Sequence, residues 1–286
     1  MKPLRTSEWV PISYFGYTTL LAAIRIPAST WKAVAMLAVV TALIAILAHG
    51  ESVARGVARD FAPILFTLAA FRQMDWFAPA MQDHHLEKTW IVWDRALLDQ
   101  YHLRAAIESL GLVGPAYLEL CYVLVYGAAP IAVAILFRQG ARARANTLWL
   151  AYLAGTLGAY ALFPYFPSDP PRTVFPGTDG PQVTTFLRSL NLWIVGNYGI
   201  HTSVFPSAHV SSVFSAAWGL LAALPSRRRY GVGMAAYGAS VAVATVYGRY
   251  HYTADVVAGF AASGLAVVAL LLARRNWEGI KKCVTG

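Results

Sequence analysis

The amino-acid sequence predicts an all-α protein, a polytopic transmembrane helical bundle of six to eight spans. Three observations carry that prediction. Of the 286 residues, 57% are hydrophobic and only 13% are charged, where ordinary soluble domains carry roughly a quarter. The apolar residues fall in uncharged or nearly uncharged runs of about the 20 residues that a helix needs to cross some 30 Å of hydrocarbon. Those runs are rich in Ala, Leu and Gly and lack the alternation of a membrane strand. Helices also satisfy their own backbone, as lipid demands. The apolar content excludes a disordered chain. The two cysteines, Cys121 and Cys283, exclude a disulfide scaffold.

Taken in order, Trp9 to Ile24 is the first candidate, able to cross the membrane or to lie in its interface. Ala33 to His49 is a clear span, and Phe61 to Met74 a shorter one broken by Pro63 and Arg72. Trp76, Trp90 and Trp93 then suggest an interfacial belt, with Asp94 to Ile107 as a short amphipathic helix. Gly111 to Phe137 spans with one acid, Glu119, which needs a partner at that depth. Asn146 to Phe166, Val204 to Leu224, Tyr230 to Gly248 and Val256 to Ala273 complete the set. The expected organisation is N-terminal membrane helices and an interfacial segment over 1–110, a core over 111–273 with a loop at 167–205, and a basic tail over 274–286.

Loop charges orient the chain. Arg138 to Arg144, Pro225 to Arg229 and the tail after Arg274 are basic, whereas Pro167 to Ser203 and Arg249 to Asp255 sum to zero. Positive loops stay cytoplasmic. The neutral loops and the site they carry therefore face the periplasm or exterior, as in a bacterial inner (plasma) membrane, and the C-terminus is cytoplasmic. Eight spans also place Lys2 and Arg5 inside. No cleavable signal peptide is expected, since Glu8 and Pro11 interrupt the start. Attraction to acidic headgroups accounts for the net charge of +9. No stretch offers the basic folded face that nucleic acid requires.

The stretch Pro164 to Pro206 holds Pro164, Pro167, Pro170, Pro171, Pro176, Pro181 and Pro206, which mark a long loop. Within it, Gln182 to Val195 is expected to form a short surface helix. Three polar clusters stand at span ends on this face: Ser168 to Arg172, Pro206 to His209, and Arg249 to Asp255. His251 and Asp255, four apart, share a face if both are helical, so the carboxylate can fix one imidazole nitrogen and leave the other free to attack. His209 comes from a different span and supplies a separate acid–base group. Arg172 and Arg249 offer forked donors to phosphate oxygens, and Ser207 one more. A helix beginning near Pro206 adds its free N–H groups. A nucleophile, an acid, an orienting carboxylate and an anion clamp suit phosphoryl transfer through histidine. Blander roles compete. Ser207 can be only a cap, Arg249 can snorkel, and Asp169 reads as a turn residue. His84, His85 and His102 read as solvated. His201 and Tyr198 shape the loop. Gly155, Gly158, Gly259 and Gly264 read as helix packing.

These residues resemble the type 2 phosphatidic acid phosphatase (PAP2) superfamily, which includes lipid phosphate phosphatases and inositol phosphorylceramide synthases. The second motif, Pro-Ser-Gly-His, is similar to Pro206-Ser207-Ala208-His209, and the third motif's His-x-x-x-Asp to His251 through Asp255. The first motif is matched only by Pro170-Pro171-Arg172, with Tyr165 where its Lys would stand. Ala244 and Thr245 occupy the usual Ser-Arg positions of the third, and the arginine appears as Arg249. These departures resemble the inositolphosphotransferase-like branch. The likeness covers roughly 146–273. It implies a fold core of five to six helices and roles for individual residues. His251 attacks phosphorus, Asp255 orients it, and His209 protonates the leaving oxygen. Arg172, Arg249 and Ser207 hold the phosphate, and no metal or cofactor is needed. The implied activity is a lipid phosphate phosphatase with a phosphohistidine intermediate. The alternatives are a head-group phosphotransferase using a polyol acceptor such as inositol, and a non-enzymatic transporter or scaffold. The implied partners are a lipid phosphate or phospholipid substrate and the bilayer itself.

Overall fold

In a computed structural model the chain is helical, with no strand among the described residues, which are 3–49 and 52–285, with side chains described through Arg275. Lys2 and the end of the basic tail lie outside them. The helices are α1 (Thr6–Arg25), α2 (Thr30–Ala48), α3 (Val53–Met74), α4 (His85–Arg95), α5 (Leu103–Glu108), α6 (Val113–Leu124), α7 (Ala128–Arg138), α8 (Ala145–Leu162), α9 (Pro171–Val174), α10 (Phe186–Tyr198), α11 (Ala208–Ala223), α12 (Arg229–Tyr247) and α13 (Thr253–Thr285). A single 3₁₀ turn joins α6 to α7. Four stretches are long and apolar enough to cross a bilayer: Pro27–Ala48, Val113–Arg138, Arg142–Tyr165 and Thr253–Arg275. The protein is an integral membrane protein built as an all-α bundle.

The bundle is organised around α8 and α11. α8 packs on α1, α3, α11 and α13, and α11 on α7, α8, α12 and α13. Burial on all sides explains why α8 is apolar round its whole circumference. α11 has 16 residues, about 24 Å of helix, too short to match the hydrocarbon by itself. Its neighbours bury it, so it need not. One apolar core runs through the molecule and includes Phe15 and Ile44 from the N-terminal helices as well as Leu148, Val213 and Val241.

Charge pairing explains where the N-terminal helices differ from the sequence reading. α3 starts at Val53 rather than near Phe61, and two charged residues of its first half, Arg59 and Asp60, are buried in the bundle. Asp60, 1% exposed, accepts Arg5 Nη1 at 2.7 Å and Arg142 Nε at 2.6 Å. Glu8 accepts Arg59 Nε at 2.6 Å. Counting only uncharged residues hides such a helix. α1 packs on α2 and α8, which favours the crossing over the interfacial alternative for Trp9 to Ile24. Asp94 to Ile107 is not one helix. Asp94 lies in the last turn of α4, a π-turn follows over Ala96–Gln100, and His102 sits at φ +57° before α5. The expected surface helix at 182–195 is α10, begun at Phe186 because Thr185 Oγ1 accepts the Arg188 N–H at 3.1 Å.

Small residues allow the central helices to meet closely. A Cβ on Gly219 would lie 3.0 Å from the Leu148 carbonyl oxygen and 3.2 Å from Leu148 Cα, both backbone atoms of α8. Gly155 and Gly259 also approach neighbouring backbone and Gly158 meets the Leu265 side chain, but Gly264 faces open space and is no packing residue. Gly219→Ala is therefore expected to force α8 and α11 apart at a cost of about 1–3 kcal/mol. Thermal unfolding in detergent checks this; an unchanged midpoint contradicts the close approach.

Candidate active site

Three connections meet at one end of the bundle: the segment before α9, the approach to α11, and the α12–α13 link. Backbone hydrogen bonds tie them together. The Arg172 N–H donates to the Arg249 carbonyl at 3.2 Å, and the Ser207 N–H to the Asp255 carbonyl at 2.9 Å. Gly259 lets the first turns of α11 and α13 touch, since a Cβ there would stand 2.4 Å from the Ser207 carbonyl oxygen. Ser207 Oγ accepts the Val210 N–H at 3.4 Å and caps α11. Its hydroxyl proton remains free to donate.

His209, in the first turn of α11, and His251, in the link, then come together. His209 Nδ1 and His251 Nε2 are 3.0 Å apart. His251 Nδ1 lies 3.2 Å from Asp255 Oδ2, which also accepts the Tyr252 N–H at 2.8 Å. The sequence reading put His251 and Asp255 on one helix, but α13 begins at Thr253, after the histidine. The contact forms because Asp255, in the first turn of α13, reaches back toward the link. A carboxylate accepts only, so His251 Nδ1 carries the proton and its Nε2 presents a lone pair. The hydrogen at the 3.0 Å contact then belongs to His209 Nδ1. Burial holds the His251 imidazole well below its ordinary range, with the neighbouring His209 and then the Arg172 charge adding to the effect.

The arginines differ in their partners. Arg249 is buried at φ +62°, with Nη1 on Asp94 Oδ2 at 2.7 Å and Nη2 buried without a partner. Arg188 meets Glu119 Oε1 at 3.0 Å. Arg172 has no ion pair among the described residues; its guanidinium lies 5.5 Å over the Tyr250 ring. Burial makes its proton easier to lose than an ordinary arginine's, yet the usual value lies so high that the group stays cationic. An unneutralised guanidinium beside an imidazole lone pair is a place for an anion.

Behind them, Tyr122 stacks on Tyr250 at 3.8 Å and lies 5.0 Å from His209, with Tyr126 at 5.7 Å on the same imidazole. Glu119 acquires the partners that the sequence could not name: Arg188, Asn191 Nδ2 at 2.7 Å and Tyr250 Oη at 2.7 Å. All six residues singled out from the sequence, His209, His251, Asp255, Arg172, Arg249 and Ser207, stand at this end. Asp94, Glu119, Tyr122 and Arg188 surround them and had no motif to mark them. Among the described residues no group of three His, Cys, Asp or Glu side chains is arranged to hold a metal ion. Asp169, expected as a turn residue, gives its N–H to Glu87 at 2.8 Å.

A sequence model of one family, described as the PAP2 superfamily, matches residues 95–269, more than half of the chain. No curated protein and no solved structure matches it.

Glu119→Ala is expected to strand Arg188, Asn191 and Tyr250 and to cost about 3–5 kcal/mol, the range for removing one partner of a buried ion pair. Unfolding in mixed micelles measures it; a loss below about 1 kcal/mol contradicts the network.

Proposed function

Because the chain belongs to the PAP2 superfamily, we propose that it is a membrane lipid phosphate phosphatase working through a phosphohistidine on His251. The hydrogen-bonded series His209–His251–Asp255, beside the unpaired Arg172, is the observation that carries this reading.

In the first half-reaction His251 Nε2 attacks phosphorus. The N–P bond forms as the bond from phosphorus to the lipid oxygen breaks, and His209, protonated at both ring nitrogens once the phosphate's negative charge is beside it, gives that oxygen one proton and becomes neutral. Asp255 holds the Nδ1 proton and offsets the positive charge that the phosphorylated ring acquires. In the second half, His209 takes a proton from water, whose oxygen attacks phosphorus and restores His251. Arg172 meets the charge on the phosphoryl oxygens, with the Ser207 hydroxyl and Arg249 Nη2 as further donors. Such donors do most of their work in the transition state.

The 3.0 Å histidine contact bears on the first step. A phosphorus about 3–3.5 Å from the attacking nitrogen must stand where the His209 N–H now points. Substrate therefore displaces His209, and the displaced ring can serve the leaving oxygen on the far side of phosphorus.

An alcohol in place of water turns the same site into a phosphotransferase. The departures at Tyr165, Ala244 and Thr245 favour this second reading, with a polyol such as inositol as acceptor in the manner of inositol phosphorylceramide synthases. The loop charges orient the site toward the exterior or periplasm of a plasma membrane and the C-terminus toward the cytoplasm.

Three outcomes are expected. Purified protein is offered phosphatidic acid, lysophosphatidic acid, phosphatidylglycerol phosphate, sphingosine phosphate and phosphatidylinositol, with and without inositol, and products are followed by mass spectrometry. Free phosphate marks hydrolysis, and a new head-group marks transfer; no product from any of them counts against both readings. Second, His251→Ala and His209→Ala lose turnover on every substrate that the parent uses, and Asp255→Asn loses on the order of 10²–10⁴-fold by releasing the tautomer, as in other carboxylate-oriented histidines. Parent-like rates in both histidine variants end the assignment. Third, because the His251 imidazole is depressed, it resists protonation as pH falls. The acid limb of kcat/KM is therefore expected below the ordinary imidazole value of about 6.5. A limb above it contradicts a neutral, buried nucleophile.

A further inference from the structure

All of α4 but its last residue, Arg95, lies before the matched family region. Its basic residues face out and Ile91 faces in, but its acids are placed contrary to a helix at a membrane surface. Its two acids, Glu87 and Asp94, are 1% and 0% exposed, while Val92 and Trp93 on another face are more than half exposed. An ordinary interfacial helix buries its apolar side and leaves acids in water. Buried carboxylates are costly unless partnered, so their partners identify the helix's role.

Apart from His84, whose Nδ1 lies 3.2 Å from Glu87 Oε1 at the start of α4 itself, the partners of this face belong to the three segments of the site. Glu87 Oε1 accepts the Asp169 N–H at 2.8 Å, three residues before Arg172. Trp90 stacks at 4.9 Å on Phe205, which leads into Pro206 and Ser207, and lies 5.7 Å from the Tyr252 ring. Asp94 uses both oxygens: Oδ2 on Arg249 Nη1 and Oδ1 on the Thr253 N–H, each at 2.7 Å. These two anchors bracket the link that presents His251, and one of them is a residue held at positive φ. Positions 87, 90 and 94 recur at helical spacing on one face.

We propose that α4 is a positioning strap. Through Glu87, Trp90 and Asp94 it holds the phosphate-binding, acid-bearing and nucleophile-bearing segments in mutual register. None of the three residues touches the reacting atoms. The proposal rests on the phosphohistidine reading above. It separates their effects: loosening Asp94 displaces the nucleophile and lowers kcat, whereas loosening Glu87 displaces Arg172 and raises KM.

The test uses the full-length protein and the substrate turned over fastest in the lipid screen. Asp94→Asn leaves one acceptor oxygen for two donors, Arg249 Nη1 and the Thr253 N–H, and is expected to lower kcat at least tenfold with KM within about twofold of the parent. Glu87→Ala is expected to raise KM at least fivefold, and Glu87→Gln, which keeps an acceptor for the Asp169 N–H, to restore it. Melting temperatures accompany each variant. Parent-like kcat in folded Asp94→Asn overturns the strap. If that variant does not fold, Glu87→Ala and Glu87→Gln decide, and equal KM values in the two overturn it. His251→Ala is assayed alongside. A dead His251→Ala with parent-like strap variants rejects the strap alone, whereas an active His251→Ala rejects the phosphohistidine reading itself.

Discussion

The imidazole of His251 is held at both nitrogens, by Asp255 on one side and His209 on the other. Much of the architecture at this end of the bundle makes that double hold possible. The Asp255 carbonyl receives the Ser207 N–H, so α11 and α13 start in contact and their first turns bring acid and carboxylate to the same ring. Gly259 removes the one Cβ that would keep them apart. Because the ring is buried, its proton position is set by these partners rather than by water, and one nitrogen is left as a lone pair.

Burying this much charge near a membrane requires a close balance. Asp94 answers Arg249, and Glu119 answers Arg188, so most of the ionised groups around the site are neutralised in pairs. Arg172 is the exception among the three arginines and rests over an aromatic ring instead. A fully paired cluster would have no remaining attraction for an anion. Leaving one guanidinium without a carboxylate, next to the nucleophile, reserves that attraction for the substrate. At the opposite end of α3, Asp60 and Glu8 take up Arg5, Arg142 and Arg59 for a structural purpose, joining the N-terminal helices to α8.

The bundle and the histidine pair were legible in the sequence for physical reasons. Spans announce themselves through uncharged length, and the His251–Asp255 spacing survives although the histidine precedes its helix, because only the carboxylate needs a helical turn to reach back. Uncharged length alone shortens α3, because its charges are compensated by residues far along the chain. The pattern makes Asp94 the start of a short amphipathic helix, and an acid on a surface helix ordinarily faces water. Its partner Arg249 lies 155 residues away, and no local pattern signals such a pair. Glu119 signalled a need, but not that Arg188, Asn191 and Tyr250 would meet it.

The most direct measurement is to find the covalent intermediate. Substrate carrying a labelled phosphoryl group is mixed with the parent protein and quenched within a single turnover, and the quenched protein is digested and sequenced by mass spectrometry under alkaline conditions. The account predicts label on His251 and none in a His251→Ala control. Label on another residue, or turnover of substrate with no labelled protein at any time, contradicts it.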